Sequence, residues 1–338
     1  MQEGKFEMLE EPFEPKYIYW ELCDSCNLKC KQCFANSGPE KSFFQDKDLL
    51  VKKIAEIEEK KAIPIRFGGG EPLLHPQLFE ILEECSNIGV PVAITTNGTL
   101  LDAERAHNLA KYNIRSLTIS IDGTEEYNDY LRGRGAYIRA CQGLENALSQ
   151  NIKVSLAFTV TAMNYKNLPA YVYYFYAKGV REFYIFRYIP NEARGAGKAL
   201  NIDNKVLKEV TAEIQQLEKN FSDVKFHYEK FGYLAFLLNN DINNVACNFT
   251  KGTMTIKSNG DVIVCAAISK ILGNIYKDEL KKIYGNIMQE IEAMHYIPKE
   301  CFRCVFAEGC RGGCKSYSFA EFGNYYHKDD CCYKNIAH

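Results

Sequence analysis

Short apolar runs alternate with amphipathic stretches from Tyr17 to Arg187. The apolar runs predict six strands, at Tyr17–Leu22, Ile63–Phe67, Val92–Thr95, Ser116–Ile121, Lys153–Val160 and Glu182–Tyr188. The stretches between them predict helices around Lys47–Lys60, Gln77–Asn87, Asp102–Tyr112, Ile138–Gln150 and Leu168–Lys178. Strands that alternate with helices form parallel sheets through right-handed crossovers. Because six units are fewer than the eight of a closed barrel, we predict an α/β fold with an open, partial (β/α)6 TIM-like barrel.

The pattern changes after the sixth predicted strand. The segment Asn191–Ala199 contains Gly195 and Gly197 and ends the barrel, and Asp203–Lys219 then predicts a helix with Asp203 as its N-cap. From Val245 onward, turn signals, short strands and dense cysteine indicate a small metal-stapled domain. The predicted organisation is an N-terminal extension at 1–16, a barrel at 17–200, a bridging helical region at 201–244 and a cysteine-rich domain at 245–338.

Composition narrows the possible functions. The 338 residues include 41 basic and 43 acidic side chains, and the net charge of −2 argues against a protein that binds nucleic acid through its phosphates. No apolar run is long enough to span a bilayer, and the acidic N-terminus lacks an apolar signal core. We therefore expect a cytoplasmic protein that binds neither nucleic acid nor membranes. Its 14 cysteines are then reduced thiols, and the short gaps within their two clusters indicate metal ligands.

The first cysteine cluster follows the first predicted strand, as Cys26-x3-Cys30-x2-Cys33. Three thiolates can hold three corners of a cubane iron–sulfur cluster and leave the fourth iron without a protein ligand. A cluster that serves only electron transfer normally has four protein thiolates, so the open iron points to chemistry at the cluster. The alternative is a tetrahedral zinc site with Cys23 as the fourth ligand.

Polar and glycine-rich residues also follow the next predicted strands. The second strand is followed by the run GGGEP at 68–72, the third ends in TTNG at 95–98 and the fourth in SIDG at 120–123. Each run alone is an ordinary turn signal. Because these strand ends lie on the same face as the first cysteine cluster, the runs together predict a ligand site there, with Glu71 able to hold an ammonium group.

The CxxxCxxC triplet, the run GGEP at Gly69–Pro72 and the order of the βα units resemble the radical S-adenosylmethionine (SAM) superfamily. The resemblance implies that Cys26, Cys30 and Cys33 hold a [4Fe–4S] cluster whose fourth iron is chelated by the methionine amino and carboxylate groups of SAM. It implies reductive cleavage of SAM to a 5′-deoxyadenosyl radical. The positions that match cosubstrate-binding motifs are Gly69, Gly70, Glu71, Pro72, Thr96, Asn97, Ser120 and Arg132.

One position departs from that family. The residue before the third cysteine is commonly aromatic, but here it is Gln32. Because the family's contact from this position to adenine is largely through the backbone, we expect looser packing rather than lost binding.

A second cysteine array fills the last quarter of the chain. It consists of Cys247-x12-Gly260-x4-Cys265, then Cys301-x2-Cys304-x5-Cys310-x3-Cys314, then the pair Cys331-Cys332. The run SNGD at 258–261 predicts a hairpin between strands at Thr253–Lys257 and Val262–Cys265. Seven or eight thiolates allow two metal centres, and on spacing alone a domain with two structural zinc ions is the alternative.

This array resembles the SPASM domain, an iron–sulfur extension of many radical enzymes. The resemblance implies one auxiliary cluster on Cys247, Cys265 and Cys314. It implies another on Cys301, Cys304, Cys310 and either Cys331 or Cys332, which makes three [4Fe–4S] clusters in all. The sequence has no cysteine between Cys141 and Cys247, so the first auxiliary cluster is expected to have an open iron or a non-thiolate ligand, with Asp241 as the candidate.

The resemblance also implies the class of reaction. Relatives with this extension mostly modify peptides or proteins by crosslinking, epimerisation or oxidative maturation. Formylglycine formation is disfavoured, because Ala266 replaces the aspartate that sulfatase-maturing relatives carry after the equivalent of Cys265. Arg187, at the end of the sixth strand, either meets a substrate carboxylate or backbone, or is a strand-end charge in water.

The expected partners are a peptide or protein substrate, a flavodoxin- or ferredoxin-type reductant and, if a leader peptide is recognised, a separate recognition protein or the barrel mouth itself. Two alternatives remain: the same chemistry on a small molecule or tetrapyrrole precursor, and a non-catalytic zinc or iron–sulfur scaffold or electron carrier. The sequence does not name the substrate, the bond formed or the oligomeric state.

Overall fold

A computed structural model describes residues 13–58, 62–112, 114–190, 197–228, 247–330 and 332. Seven parallel strands follow one another along the chain and across the sheet. They are β1 (Tyr17–Cys23), β2 (Ile65–Gly69), β3 (Val92–Thr96), β4 (Ser116–Ser120), β5 (Val154–Val160), β6 (Glu182–Arg187) and β7 (Lys225–His227). The predicted α/β fold with a parallel, open sheet is confirmed, and the first six strands lie where the apolar runs place them.

Helices connect the strands. They are α1 (Lys47–Glu58), α2 (Leu78–Asn87), α3 (Ala103–Ala110), α4 (Glu125–Arg132), α5 (Ala136–Ser149), α6 (Leu168–Ala177) and α7 (Asn204–Asn220). In α1 the predicted apolar face of Leu50, Ile54 and Ile57 is buried. Asp203 caps α7, because its side chain accepts a hydrogen bond from the Val206 amide at 2.8 Å. Both predictions are confirmed.

The C-terminal hairpin extends the barrel sheet. Its strands are β8 (Thr253–Ile256) and β9 (Asp261–Cys265), which pair antiparallel around the predicted turn, and β10 (Ile268–Asn274) follows at the edge. β8 pairs in parallel with β1, so the ten described strands have the order β10-β9-β8-β1-β2-β3-β4-β5-β6-β7. The helices α8 (Leu280–Met294), α9 (Ala307–Cys310) and α10 (Lys315–Phe322) complete the cysteine-rich region. The hairpin therefore joins the two cysteine-bearing regions through one sheet.

Sequence reasoning missed several of these elements. It did not predict α4, in which only Asn128 and Leu131 are buried, because a short polar helix has no apolar face to detect. It also missed β7, which is only three residues long, and β10, where three consecutive residues are exposed. Gly195 and the other residues at 191–196 lie outside the described part of the chain.

The inner side of the sheet is polar near the start of the strands. Ile65 and Phe67 are fully buried in the main apolar core, whereas Arg66 between them points to the opposite side. Its guanidinium donates to the Tyr17 hydroxyl and to Thr118 Oγ1, both at 2.6 Å. Polar groups thus close the bottom of the partial barrel and leave the carboxyl ends of the strands for the candidate site.

Candidate active site at the carboxyl ends of the strands

The loop after β1 carries Cys26, Cys30 and Cys33 and packs against the end of β2. The Gly70 amide donates to the Cys23 carbonyl at 2.8 Å, and the Glu71 amide donates to the Ser25 carbonyl at 2.9 Å. These two backbone hydrogen bonds fix the entry of the cysteine loop relative to the GGEP run.

The glycines of that run are required by this contact. A Cβ atom on Gly70 would lie 1.9 Å from the Ser25 carbonyl oxygen, far inside van der Waals contact. Gly69 has a φ of +108°, and a Cβ atom there would lie 2.5 Å from the Cys23 carbonyl oxygen. We expected the glycines to bring backbone close to a ligand. The close neighbour in the structure is the backbone of the cysteine loop itself.

Glu71 is fully buried and joins the ends of β2 and β3. One carboxylate oxygen accepts hydrogen bonds from Thr96 Oγ1 at 2.6 Å and from the Leu73 amide at 3.1 Å, and the other accepts from the Asn97 amide at 2.7 Å. Burial raises the pKa of the Glu71 carboxyl, and these three donors oppose that shift. A carboxylate has about four lone-pair positions, so one remains for a further donor.

Glu71 and Asn97 also organise their neighbours. Glu71 is the N-cap of a short 3-10 helix, Pro72–Leu74, which Pro72 begins. The Asn97 amide group donates to Asn27 Oδ1 at 2.9 Å and lies 3.8 Å from Cys26 Sγ. Asn27 was missed by sequence reasoning, although it directly follows the first cysteine of the triplet.

A second buried carboxylate, Asp122, lies on the other side of the cysteine loop and is fully buried. Its Oδ2 accepts hydrogen bonds from Arg132 Nε at 2.7 Å and Gln32 Nε2 at 2.5 Å, and its Oδ1 accepts from the Thr159 amide at 2.7 Å. Asp122 thereby joins the end of β4 to α4, β5 and the cysteine loop. Sequence reasoning placed Asp122 at a strand end but did not identify this network.

Arg132 and Gln32 take their positions from Asp122. Burial disfavours the charged form of Arg132, but Asp122 and the thiols of Cys30 and Cys33 together raise the pKa of its guanidinium. Gln32 is 7% exposed and hydrogen-bonded to Asp122, whereas the expected looser packing against adenine stays a prediction. Ser120, the last residue of β4, is half-buried at the same edge of the sheet. The structure therefore brings together all the residues predicted to contact the cosubstrate; whether they do so stays a prediction.

The thiols of the loop influence one another. Burial, together with smaller effects of Glu71, Cys30 and Cys33, raises the pKa of Cys26 to about 12. Cys23 is different, because its thiol donates to the carbonyls of Ser25 and Glu71, each at 3.4 Å. These contacts direct the Cys23 thiol to backbone carbonyls of the loop and of the GGEP run; its role as a fourth zinc ligand stays an untested alternative.

The C-terminal thiols fall into two groups. Burial raises the pKa of Cys247 to about 12, and Cys265 and Cys314 contribute to the shift. The pKa of Cys310 is also raised, to about 11. Burial is the largest cause, and the nearby Cys332 and Cys301 contribute to the same shift.

Cys304 belongs to the second group, because it contributes with Cys332 to the raised pKa of Cys301. This is the grouping that the SPASM resemblance implies, with Cys332 close to its partners. Cys331 and Asp241 lie outside the described residues.

The fit of these residues to iron–sulfur clusters rests on donor chemistry. The three groups consist of three, three and four thiols, and thiolates are the ligands that such clusters use. Gln32 Oε1, a buried acceptor next to Cys33, has no hydrogen-bond partner in the described part of the chain, which fits a bound donor group at the loop. Across the same described ranges, no three His, Cys, Asp or Glu side chains form a ready-made site for a single metal ion.

Buried charges hold the C-terminal array together. Lys315 is 4% exposed and donates to the carbonyls of Tyr296 at 2.9 Å and Arg311 at 2.6 Å, and burial lowers its pKa to about 8. Arg187 donates to Asp329 Oδ2 at 2.7 Å, and the same oxygen accepts from the Cys314 amide at 3.3 Å.

Arg187 is therefore neither in water nor free at the mouth of the barrel. It is buried, and its guanidinium lies 3.4 Å from the centre of the Tyr317 ring. The expectation of a strand-end charge in water is corrected, because Arg187 joins the end of β6 to the cysteine array; a contact with substrate stays a prediction. Of the helices that the structure describes, none is long and apolar enough to cross a membrane.

Comparison with protein families gives two matches. The radical SAM superfamily matches residues 20–168, and the SPASM iron–sulfur cluster-binding domain matches residues 247–305. These ranges include the first cysteine loop with the ends of β2 to β4, and the predicted hairpin with Cys247, Cys265, Cys301 and Cys304.

Three curated proteins and one solved structure illustrate what the chain is similar to. Fe-coproporphyrin III synthase of Methanosarcina barkeri is 35% identical over 164 residues, which is 45% of this chain and 39% of that protein's length. AdoMet-dependent heme synthase of the same organism is 24% identical over 94% of this chain and 96% of its own. Mycofactocin maturase MftC of Mycolicibacterium smegmatis is 29% identical over 92% of this chain and 82% of its own.

The structure of Streptococcus suis SuiB bound to S-adenosylmethionine has a TM-score of 0.79 and 19% identity, and the match covers 94% of this chain and 77% of that one. At this identity the likeness shows the fold.

Proposed function

Because this chain belongs to the radical SAM superfamily and carries a C-terminal SPASM domain, we propose that it cleaves SAM reductively and uses the 5′-deoxyadenosyl radical to modify a ribosomally made peptide or protein. As a radical SAM/SPASM enzyme it uses SAM and iron–sulfur clusters. The observation that carries the proposal is the docking of the cysteine loop onto strand ends that present Glu71 and Asp122.

The chain's own residues would hold the cosubstrate. A reduced [4Fe–4S] cluster on Cys26, Cys30 and Cys33, when bound, supplies the electron that breaks the sulfonium bond to the 5′ carbon. Glu71 has one acceptor position left for the ammonium group, while Thr96 and Asn97 keep its carboxylate in place.

The remaining predicted contacts lie around that centre. Gly69, Gly70 and Pro72 shape the turn that carries Glu71, and Ser120 and Arg132 lie on the β4 side. Fixed donors and acceptors of this kind orient a substrate and exclude water, which a reactive radical requires.

We assign two auxiliary [4Fe–4S] clusters to the C-terminal thiols, which brings the total to three. One would be held by Cys247, Cys265 and Cys314, and the other by Cys301, Cys304, Cys310 and Cys332, with Cys331 as the alternative last ligand. Auxiliary clusters can accept an electron from a substrate radical, which suits net oxidation. The proposed external reductant is a flavodoxin or ferredoxin, and the proposed compartment is the cytoplasm, where thiols stay reduced.

A peptide substrate is supported by the charges at the strand ends. Arg132 and Arg187 are both paired with buried carboxylates, Asp122 and Asp329. The positive charge of each arginine is therefore compensated within the chain, which makes this edge of the sheet less favourable for a substrate that carries several carboxylates. The similarity to mycofactocin maturase along most of both chains also supports a maturase.

The second candidate substrate is a tetrapyrrole or its precursor. It is favoured by the similarity to AdoMet-dependent heme synthase, which extends over nearly the whole of both chains, and to Fe-coproporphyrin III synthase. A non-catalytic scaffold, the remaining alternative, needs no cosubstrate site at the strand ends and is not favoured.

The test begins with anaerobic purification, reconstitution and iron and zinc analysis. The wild-type protein with SAM and a reductant should release 5′-deoxyadenosine, measured by mass spectrometry. A short precursor peptide encoded beside the gene and iron-coproporphyrin III are then supplied in separate reactions, with and without a separately encoded leader-recognition protein for the peptide. A mass change in the peptide alone supports the peptide proposal, and a change in the porphyrin alone supports the second candidate. Stoichiometric zinc with no 5′-deoxyadenosine would refute both.

A further inference from the structure

Gln32 has an unusual environment for a glutamine. It lies between Cys30 and Cys33, only 7% of the residue is exposed, and its Nε2 donates to Asp122 Oδ2 at 2.5 Å. Its Oε1 is buried and, among the residues that the structure describes, has no hydrogen-bond partner. Buried polar atoms in folded proteins almost always have a partner, so an orphaned acceptor at this position needs an explanation.

The direction of the amide group is not arbitrary. A carboxylate can only accept hydrogen bonds, and Asp122 already accepts from Arg132 Nε and from the Thr159 amide. Gln32 must therefore turn its NH2 group toward Asp122 and its carbonyl oxygen away from it. Asp122 thus acts as a positioning residue that determines which atom Gln32 presents at the cysteine loop.

The position of that oxygen selects its partner. Gln32 directly precedes Cys33, and the Lys31 amide donates to the carbonyl of Leu131, next to Arg132, at 2.8 Å, so this network borders the proposed cluster. The donors that SAM brings to the loop are an ammonium group, ribose hydroxyls and the adenine 6-amino group. Glu71, hydrogen-bonded to β3, is the anionic partner for the ammonium group, which leaves the donors of the adenosyl group for Gln32.

We propose that Gln32 Oε1 accepts a hydrogen bond from an N–H or O–H donor of the adenosyl group of SAM, with Asp122 fixing the orientation of the amide. The inference rests on the proposed function. Gln32 then adds a side-chain hydrogen bond at a position where the family commonly has an aromatic residue and contacts adenine largely through the backbone. Gln32 thereby helps to select the cosubstrate without taking part in the chemistry.

The test measures dissociation constants of the reconstituted protein by anaerobic equilibrium dialysis. The ligands are SAM, its analogue without the 6-amino group, and its 2′-deoxy and 3′-deoxy analogues. The variants are Gln32→Met, which keeps the length of the side chain, and the matched control Gln216→Met on the exposed face of α7. Iron content is measured for each protein.

In the wild type and in Gln216→Met, removal of one adenosyl donor should weaken binding about tenfold. In Gln32→Met, SAM itself should bind about tenfold more weakly, and removal of that same donor should have no further effect. Which analogue shows the loss identifies the donor as the amine or a hydroxyl.

Asp122→Asn gives an independent readout, because its side-chain amide no longer forces the orientation of Gln32. We expect a smaller discrimination between SAM and that analogue at unchanged iron content. The comparison of SAM with its analogues in Asp122→Asn still tests the proposal if Gln32→Met binds less iron than the wild type.

Equal discrimination among the analogues in the wild type, Gln32→Met and Asp122→Asn would overturn the assignment of Gln32. A wild-type protein that carries its iron but binds no SAM would instead overturn the proposed function.

Discussion

The two cysteine-bearing regions are supported in different ways. The loop after β1 is held by backbone hydrogen bonds to Gly70 and Glu71 and by two buried carboxylates at strand ends. The C-terminal array is held by a buried lysine, Lys315, that donates to loop carbonyls, and by the pair Arg187–Asp329. The first region thus uses the rigidity of a parallel sheet, whereas the second uses charges brought together from distant parts of the chain.

Because the two regions are held in different ways, they are sensitive to different substitutions. A strand-end site depends on close backbone packing, so a single added methyl group is enough to disturb it. An array of loops depends on compensated buried charges, so the loss of one partner leaves the other uncompensated.

The largest expected effects are losses of activity, and they differ between a cysteine variant of the first region and one of the second. Cys30→Ala should reduce 5′-deoxyadenosine formation to background, while the C-terminal iron remains. Cys304→Ala should lower the iron content and stop product formation, because it removes a thiolate of the second group. Iron analysis and mass spectrometry of both variants check this. Cleavage of SAM by Cys30→Ala, or unchanged iron in Cys304→Ala, would show that the corresponding assignment is wrong.

The next effect is on stability. Arg187→Met should lower the free energy of unfolding by about 3–5 kcal/mol, because it leaves Asp329 buried without its cation. The matched control is Arg181→Met, which breaks an exposed pair with Asp223 and should cost less than about 1 kcal/mol. Urea unfolding of the reconstituted proteins measures both. Equal losses in the two variants would mean that the buried pair does not hold the array.

A smaller loss is expected from added bulk at the strand end. Gly70→Ala should cost about 1–3 kcal/mol and weaken SAM binding, because its Cβ atom would meet the Ser25 carbonyl oxygen at 1.9 Å. Gly285→Ala in α8 is the control, since a Cβ atom there has no neighbour within 4 Å and alanine favours a helix. The midpoints of unfolding and the dissociation constant for SAM give the comparison. A Gly70→Ala protein as stable as Gly285→Ala would contradict the packing argument.

The smallest effect on stability is expected at the pair Glu182–His227, which lies outside both cysteine-bearing regions. The hydrogen bond from His227 lowers the pKa of Glu182 to about 2, against burial, with Lys153 helping. Because the folded pKa is below the ordinary value of 4.5, the pair stabilises the protein above pH 4.5. That stabilisation declines as the pH falls toward 2.

The difference in urea midpoint between the wild type and Glu182→Gln should therefore shrink as the pH falls from 5 toward 3. Acid effects common to both proteins cancel in this difference. A difference in urea midpoint that stays constant or grows in acid would contradict the lowered pKa of Glu182.

Much of the first region was predictable from the sequence. Strand ends of a parallel sheet meet at one edge, so the runs after β2, β3 and β4 could be placed beside the cysteine triplet without coordinates. The contact between Gln32 and Asp122 was not predictable, because it joins side chains 90 residues apart whose directions no periodic pattern determines.

The second region was predictable mainly through its spacing. The turn at 258–261 gave the hairpin, but nothing in the sequence indicated that β8 would pair with β1. Arg187 and Asp329 are 142 residues apart, and each alone has the pattern of a solvent-exposed charge. Their pairing depends on how the array packs against β6, which local sequence does not encode.

The central claim is that the thiolate trio after β1 leaves one iron open to SAM. Electron paramagnetic resonance of the reduced protein, recorded with and without SAM, tests it most directly. We predict that SAM shifts the spectrum of one cluster in the wild type and in Cys304→Ala, and shifts none in Cys30→Ala. A wild-type spectrum that is unchanged by SAM, or a first site filled by zinc, would contradict the account.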